Sequence, residues 1–298
     1  MRILICSNGM PAADNAARMG GLLAKLCHAE ATLLGIAEKA EDEGPLRRAL
    51  EEESKTLRVT DGVSPGIVVG AGDPIRQILQ ETTRTVYDLV VIGAERKGKS
   101  GLYWRSRKTY ELIKAIPPPV LVALGECEQL KRFLVCTGGK KFIGDAVRLA
   151  GKMAAAAGAS VTLLHVMAEP PAIYTDLVRM EEDLDGLLKS KSELGLNLSL
   201  QKAELESLGV PVEIRVRHGM VLDQVFREAR EGNHDLIVTG SSQAGGIFRH
   251  YIMGDLTRSI LNRSECPVLV ARSGAVAASG NILQTLRKFF SAAAANGS

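Results

Sequence analysis

Arg2-Ile3-Leu4-Ile5-Cys6 and Arg132-Phe133-Leu134-Val135-Cys136 are one short apolar run written twice. Ala31-Thr32-Leu33-Leu34-Gly35-Ile36 is answered by Val161-Thr162-Leu163-Leu164-His165-Val166 at the same offset of 130, since 132 − 2 and 161 − 31 agree. Asp88-Leu89-Val90-Val91-Ile92-Gly93 returns as Asp235-Leu236-Ile237-Val238-Thr239-Gly240 at an offset of 147 (235 − 88), and Pro119 to Ala123 returns as Pro267 to Ala271 at 148 (267 − 119). The chain is a duplicated unit whose second copy carries an insertion between its second and third strands. A long period present only twice means two globular domains, because solenoid repeats are several-fold shorter.

The bulk numbers agree. A length of 298 residues fits two domains of about 150 each, each long enough to bury a core. Hydrophobic content of 46%, charged content of 24% and a net charge of +3 are ordinary for a globular protein and too weak a bias to imply nucleic acid or membrane as a partner. Cys6, Cys27, Cys127, Cys136 and Cys266 are odd in number and lack a C-x-x-C spacing, which suits a reducing cytoplasm. No export signal and no run of 18 apolar residues is read, so neither secretion nor a membrane span is expected.

Apolar strand-like runs alternate with helix-like segments in each half, the signature of repeated β-α-β. The strands are continuous apolar runs such as Leu89 to Ile92, as expected when helices cover both faces of a parallel sheet. Residues 12–27 carry Ala16, Met19, Leu22, Leu23 and Leu26 on one helical stripe. Asp73-Pro74 reads as an N-cap and first-turn proline for a helix over 75–86, and Asp223-Gln224-Val225-Phe226 opens its counterpart. The reading divides the chain into domains 1–125 and 131–272, a short linker over 126–130, and a tail 273–298. The insertion, roughly 174–208, reads as a long surface helix or helix pair. In the tail, Ile282, Leu283, Leu286, Phe289 and Phe290 fall at helical spacing opposite Arg287 and Lys288. Such a helix packs on its own domain or on a partner; a membrane surface ranks last.

These motifs in this order resemble the universal stress protein family, present as a tandem pair. They are a strand ending near Gly9 or Gly139, a Gly72-Asp73-Pro74 turn, the Asp88 to Gly93 and Asp235 to Gly240 strands, and a closing Cys266-Pro267-Val268-Leu269-Val270. The resemblance implies an α/β fold: two repeated doubly wound five-stranded parallel-sheet domains of the adenine nucleotide alpha hydrolase-like kind, strand order 3-2-1-4-5. Ligands would enter the crevice where strand order reverses. It also implies a pseudo-dimer through the closing strands 120–123 and 268–271, whose apolar edges pairing would cover, with further association into a homodimer left open. The two units are expected back to back, and a single continuous sheet would count against that picture.

ATP-binding members of the family place an Asp after strand one to read adenine, and G-x2-G-x9-G-[ST] after strand four to hold phosphates. Glycines permit close backbone approach there, and successive amides form an anion nest. This chain departs in both halves. Asn8 and Gly138 stand where the Asp is expected. Gly93 and Gly240 are kept, but the closing pair is Ser106-Arg107 in the first half and Gly254-Asp255 in the second, where a carboxylate would face phosphate oxygens. Gly93 to Ser100 also matches G-x-x-x-x-G-K-[ST], a phosphate loop on its face. The second half lacks the matching Lys and Ser, and no clear magnesium-binding Asp ends a later strand. Arg96, Lys97, Lys99, Arg105, Arg107 and Lys108 make the same segment basic, so it reads equally as an anion site or a solvated basic face.

The candidate ligand-holding residues are therefore Asn8, Gly9, Gly93, Lys97, Gly98, Lys99, Ser100, Ser106, Arg107, Gly240 and Gly254, with ATP or another phosphate-bearing ligand in the first half as the expected occupant. No metal set and no catalytic constellation is read. Cys6 and Cys136 end equivalent strands and read as packed thiols before a redox pair. His218 and His250 lack spaced partners, and Tyr103 and Trp104 read as packing over the first-half loop. The expectation is a cytoplasmic, non-enzymatic stress-response binding protein with an unidentified protein partner. The alternative is an ATP-binding or weakly hydrolysing protein using Gly93 to Ser100.

Overall fold

A computed structural model describes residues 1–9, 15–93, 107–125, 127–138, 144–167, 184–241 and 256–272. The first half runs β1 (Arg2–Ser7), α1 (Asn15–Leu26), β2 (Glu30–Ala37), α2 (Glu43–Asp61), β3 (Gly66–Ala71), α3 (Pro74–Arg84), β4 (Leu89–Gly93), α4 (Arg107–Ala115) and β5 (Val120–Ala123). The second repeats it as β6 (Arg132–Cys136), α5 (Gly144–Ala157), β7 (Ser160–Met167), α6 (Leu184–Lys189), α7 (Glu193–Ser207), β8 (Val212–His218), α8 (Val221–Glu231), β9 (Leu236–Ser241), a helical stretch over 256–263 and β10 (Val268–Arg272). No helix among the described residues is long and apolar enough to cross a membrane.

The strand order is β3-β2-β1-β4-β5-β10-β9-β6-β7-β8. Each half has the expected 3-2-1-4-5 order, and every pairing within a half is parallel. The seam is β5 against β10, antiparallel, with Val122 opposite Val268 and Leu121 opposite Leu269. The expected pairing of the closing strands is thus present, but the expectation of back-to-back units without a continuous sheet is corrected: the ten strands form one sheet. The cause is the edge itself. An apolar strand with unpaired N–H and C=O groups is satisfied by a second edge of like kind, and backbone pairing extends the sheet.

Two buried layers follow from strand alternation. Leu89 and Val91 join Ile3, Ile5 and Leu33 under α1 and α2, while Val90 and Ile92 join Leu4 and Leu34 on the opposite face with Ile78 of α3 and Ile113 of α4. Both layers cross the seam, for Leu121 and Leu269 are fully buried in the first, and Val122 and Val268 in the second. The halves therefore share their core.

The Asp that opens the fourth strand of each half has a structural task. Asp88 Oδ2 accepts from the Arg2 amide at 2.8 Å, and the Asp88 amide donates to the Arg2 carbonyl at 2.9 Å. Asp235 repeats the clasp on strand β6, accepting from the Lys131 amide at 2.6 Å and the Arg132 amide at 3.1 Å. Burial raises the Asp235 pKa, and the backbone amides pull against that rise.

Asp73 caps α3 as its sequence implies, its Oδ1 accepting from the Arg76 amide at 2.9 Å. Its counterpart differs: α8 opens at Val221, two residues before Asp223, and Met220 caps it without a side-chain bond. The insertion is also corrected. Helix α7 buries Leu198, Gln201 and Leu205 and presses Leu205 on Gly151 of α5, as α2 presses Leu57 on Gly21 of α1. It is the counterpart of α2, and the extra length lies ahead of it, over 168–192.

Candidate functional site

The parallel register fixes the mouth of each cleft. Cys6 lies beside Ile92, so Ser7 is level with Gly93, and Asn8 and Gly93 are both exposed where strand order reverses between β1 and β4. In the second half Cys136 lies beside Thr239, which brings Thr137 level with Gly240 and leaves Gly138 exposed. These are the carboxyl-end crevices at which doubly wound sheets receive ligands.

Gly9 has φ +73°, and a Cβ there would sit 2.8 Å from Ala49 Cβ, so the turn out of β1 is both left-handed and pressed against α2. Its amide donates to Ser7 Oγ at 3.0 Å, and Ser7 Oγ donates to Glu53 Oε2 at 2.5 Å. Glu53, only 1% exposed, thus brings a carboxylate from α2 beneath the first mouth, which strand and loop motifs did not reveal.

The second mouth is built from different groups. His165 stands where the first half has Gly35, and its Nδ1 lies 2.9 Å from the Thr137 carbonyl oxygen. A carbonyl only accepts, so Nδ1 carries a proton. Gln201 occupies the place of Glu53, since 201 − 53 and 205 − 57 are both 148 and Leu57 and Leu205 pack alike. The acid of the first half is an amide in the second.

Of the candidate residues, Asn8, Gly9, Gly93 and Gly240 stand at the two mouths, and Arg107 is the first residue of α4. Lys97, Gly98, Lys99, Ser100, Ser106 and Gly254 lie outside the described residues, as do Tyr103, Trp104 and His250. His218 ends β8. Burial pushes the Cys136 thiol up to about 12 and the Cys127 thiol up to about 11, so both stay protonated at neutral pH and lack the thiolate that redox exchange needs.

A second concavity opens at the opposite, amino end of β6 to β8. It encloses about 450 Å³ and is lined by Arg132, Thr162, Arg215, Arg217, Glu228 and His234 among others. Its charges answer one another: Arg217 Nε donates to Glu228 at 2.7 Å and its Nη2 to Glu231 at 2.6 Å, while Arg215 pairs with Glu213 at 2.7 Å. His234 Nε2 lies 3.0 Å from Thr162 Oγ1 and its Nδ1 3.1 Å from the Glu228 carbonyl oxygen.

Sheet order, register and glycine-bearing mouths define a doubly wound α/β protein with two switch-point clefts. The chain belongs to the universal stress protein family, whose sequence pattern matches residues 1–123 and again 129–272. It is a tandem member. A functionally unknown protein from Pseudomonas aeruginosa PAO1 is similar in structure, with TM-score 0.68 and 16% identity over 97% of this chain and 96% of that one. A universal stress protein from Archaeoglobus fulgidus DSM 4304 gives TM-score 0.63 and 19% identity over 92% and 98%. A universal stress protein from Archaeoglobus fulgidus in complex with dAMP covers 49% of this chain and 99% of its own, with 17% identity and TM-score 0.34. No relative matches among curated proteins.

Proposed function

We propose that this chain is a cytoplasmic, non-enzymatic stress-response binding module in which the first cleft holds ATP or another phosphate-bearing ligand and the second has lost that use. The functional units are 1–125 and 131–272, followed by the separate tail 273–298. The supporting observation is the register that sets Ser7 level with Gly93 and so brings Asn8 to the mouth at the switch point, with the Lys97-Gly98-Lys99-Ser100 loop following β4 in sequence. Backbone amides, Lys99 and Arg107 would meet the phosphates, Ser100 and Ser106 would add hydroxyl donors, and Asn8 with Gly9 would flank the base. In the second half Gly240 and Gly254 remain, but Asp255 opposes an anion.

Calorimetric titration of the full chain with ATP and magnesium, paired with a phosphate-release assay, tests this reading. Saturable binding that weakens at least tenfold in Lys99→Ala, without phosphate release, is expected; a flat titration contradicts it. A second reading, ATP hydrolysis by Gly93 to Ser100, is favoured by the placement of that loop straight after β4. Phosphate release that disappears in Lys99→Ala would establish it instead. Further association of chains into a homodimer, and a protein partner, belong to the same proposal and are read from solution mass and pull-down of the full chain.

A further inference from the structure

Leucine recurs at every second position of α7, at Leu194, Leu196, Leu198 and Leu200. At 100° per residue this places two pairs on opposite sides of the helix. Leu194 and Leu198 turn to the core, with Leu198 fully buried, whereas Leu196 is 51% exposed and Leu200 64% exposed. Leu196 and Leu200 are four residues apart and form one apolar ridge facing away from the sheet. A stripe of this kind serves no purpose in the second half's own core.

The chain itself carries a complementary segment. Helix α7 runs back toward the start of β8, so its amino-terminal half lies at the carboxyl end of the strands. Strand β10 is parallel to β9, and through β6 and β7 to β8, so the chain leaves Arg272 at that same end. Four strand spacings separate β10 from β8, about 19 Å at about 4.8 Å each. The nine residues 273–281 span up to about 30 Å, enough to bring Ile282 over α7. From there Ile282, Leu283, Leu286, Phe289 and Phe290 recur at helical spacing.

We propose that the carboxyl-terminal segment 282–290 docks as an amphipathic helix on the Leu196–Leu200 ridge of α7 in the same chain. The ridge is then an intramolecular latch site, and the tail ties α7 to the end of the sheet at which the second cleft opens. Arg287 and Lys288 remain toward solvent.

Hydrogen–deuterium exchange on the full chain tests the latch. Leu200→Asp is surface-exposed, and Phe289→Asp lies in the tail, so neither change disturbs the buried core. The expected result is that residues 193–204 exchange at least tenfold faster in Phe289→Asp, and that 282–290 exchange faster to the same degree in Leu200→Asp. Unchanged exchange of both segments would overturn the proposal. So would a particle mass that halves in either variant, because the ridge would then be covered by the tail of a second copy.

Discussion

At the amino ends of their own strands the two halves bury the same acid and satisfy it differently. Glu81 and Glu228 are equivalent, 147 residues apart (228 − 81), and are 7% and 5% exposed. In the first half Tyr87 Oη donates to Glu81 Oε1 at 2.8 Å. In the second, His234 occupies the place of Tyr87 and turns to Thr162, while Arg217, which replaces Gly70, takes over the carboxylate at 2.7 Å. At the carboxyl ends of those strands the replacements do not compensate one another in this way. Ser7 with Glu53 becomes Thr137 with Gln201, Gly35 becomes His165, and an acid beneath the mouth becomes an amide. Differences that cancel serve stability, and differences that accumulate change what a cleft can hold.

The largest expected break in this comparison is Arg217→Met, which leaves Glu228 buried without its cation and lowers stability by about 3 kcal/mol. Urea unfolding measures it, and Arg217→Met with Glu228→Met should recover most of the loss. Gly9→Ala comes next, at about 2 kcal/mol, because a left-handed φ and an Ala49 contact at 2.8 Å oppose any Cβ. The same variant should lose ligand binding in the first cleft while the second domain's exchange protection is unaltered. Tyr87→Phe removes a neutral donor from Glu81 and should cost about 1 kcal/mol by the same urea assay, less than the loss of Arg217.

The smallest effect sharpens the contrast through pH. Burial lowers the His234 pKa below its ordinary 6.5, so the folded state holds that proton less readily than the unfolded chain. Its contribution to stability is complete above about pH 6.5 and is lost as pH falls through the folded value. The raised pKa of Asp235 acts in the opposite sense at lower pH, since the folded state there binds a proton more readily and loses stability as pH rises. His234→Gln should therefore flatten the fall in urea midpoint between pH 7 and pH 5, and an unchanged slope would assign that fall to other groups.

Much of this architecture was legible in the residues alone. Duplicated strands, continuous apolar runs and the Asp73 cap each obey a local rule, and local rules survive folding. Glu53 was not legible, because in sequence it ends the acidic run Glu51-Glu52-Glu53, which reads as solvated helix surface; only the packing of α2 over β1 buries it. The limits of the insertion were misread for a related reason. Leucines on both sides of α7 hide which stripe belongs to the core. Continuity of the sheet across β5 and β10 depends on a contact between residues more than 140 positions apart, which no local pattern encodes. The mouths were found through Asn8, Gly93 and Gly240, while His165 was visible only as the counterpart of Gly35.

The central claim is that two homologous units share one sheet and have diverged at their clefts, so that only the first takes a phosphate-bearing ligand. Equilibrium dialysis of the full chain against radiolabelled ATP with magnesium tests it most directly by counting sites. The account predicts one site per chain, abolished by Lys99→Ala and retained in His165→Gly. Two sites per chain, or one that survives Lys99→Ala and vanishes in His165→Gly, would contradict it.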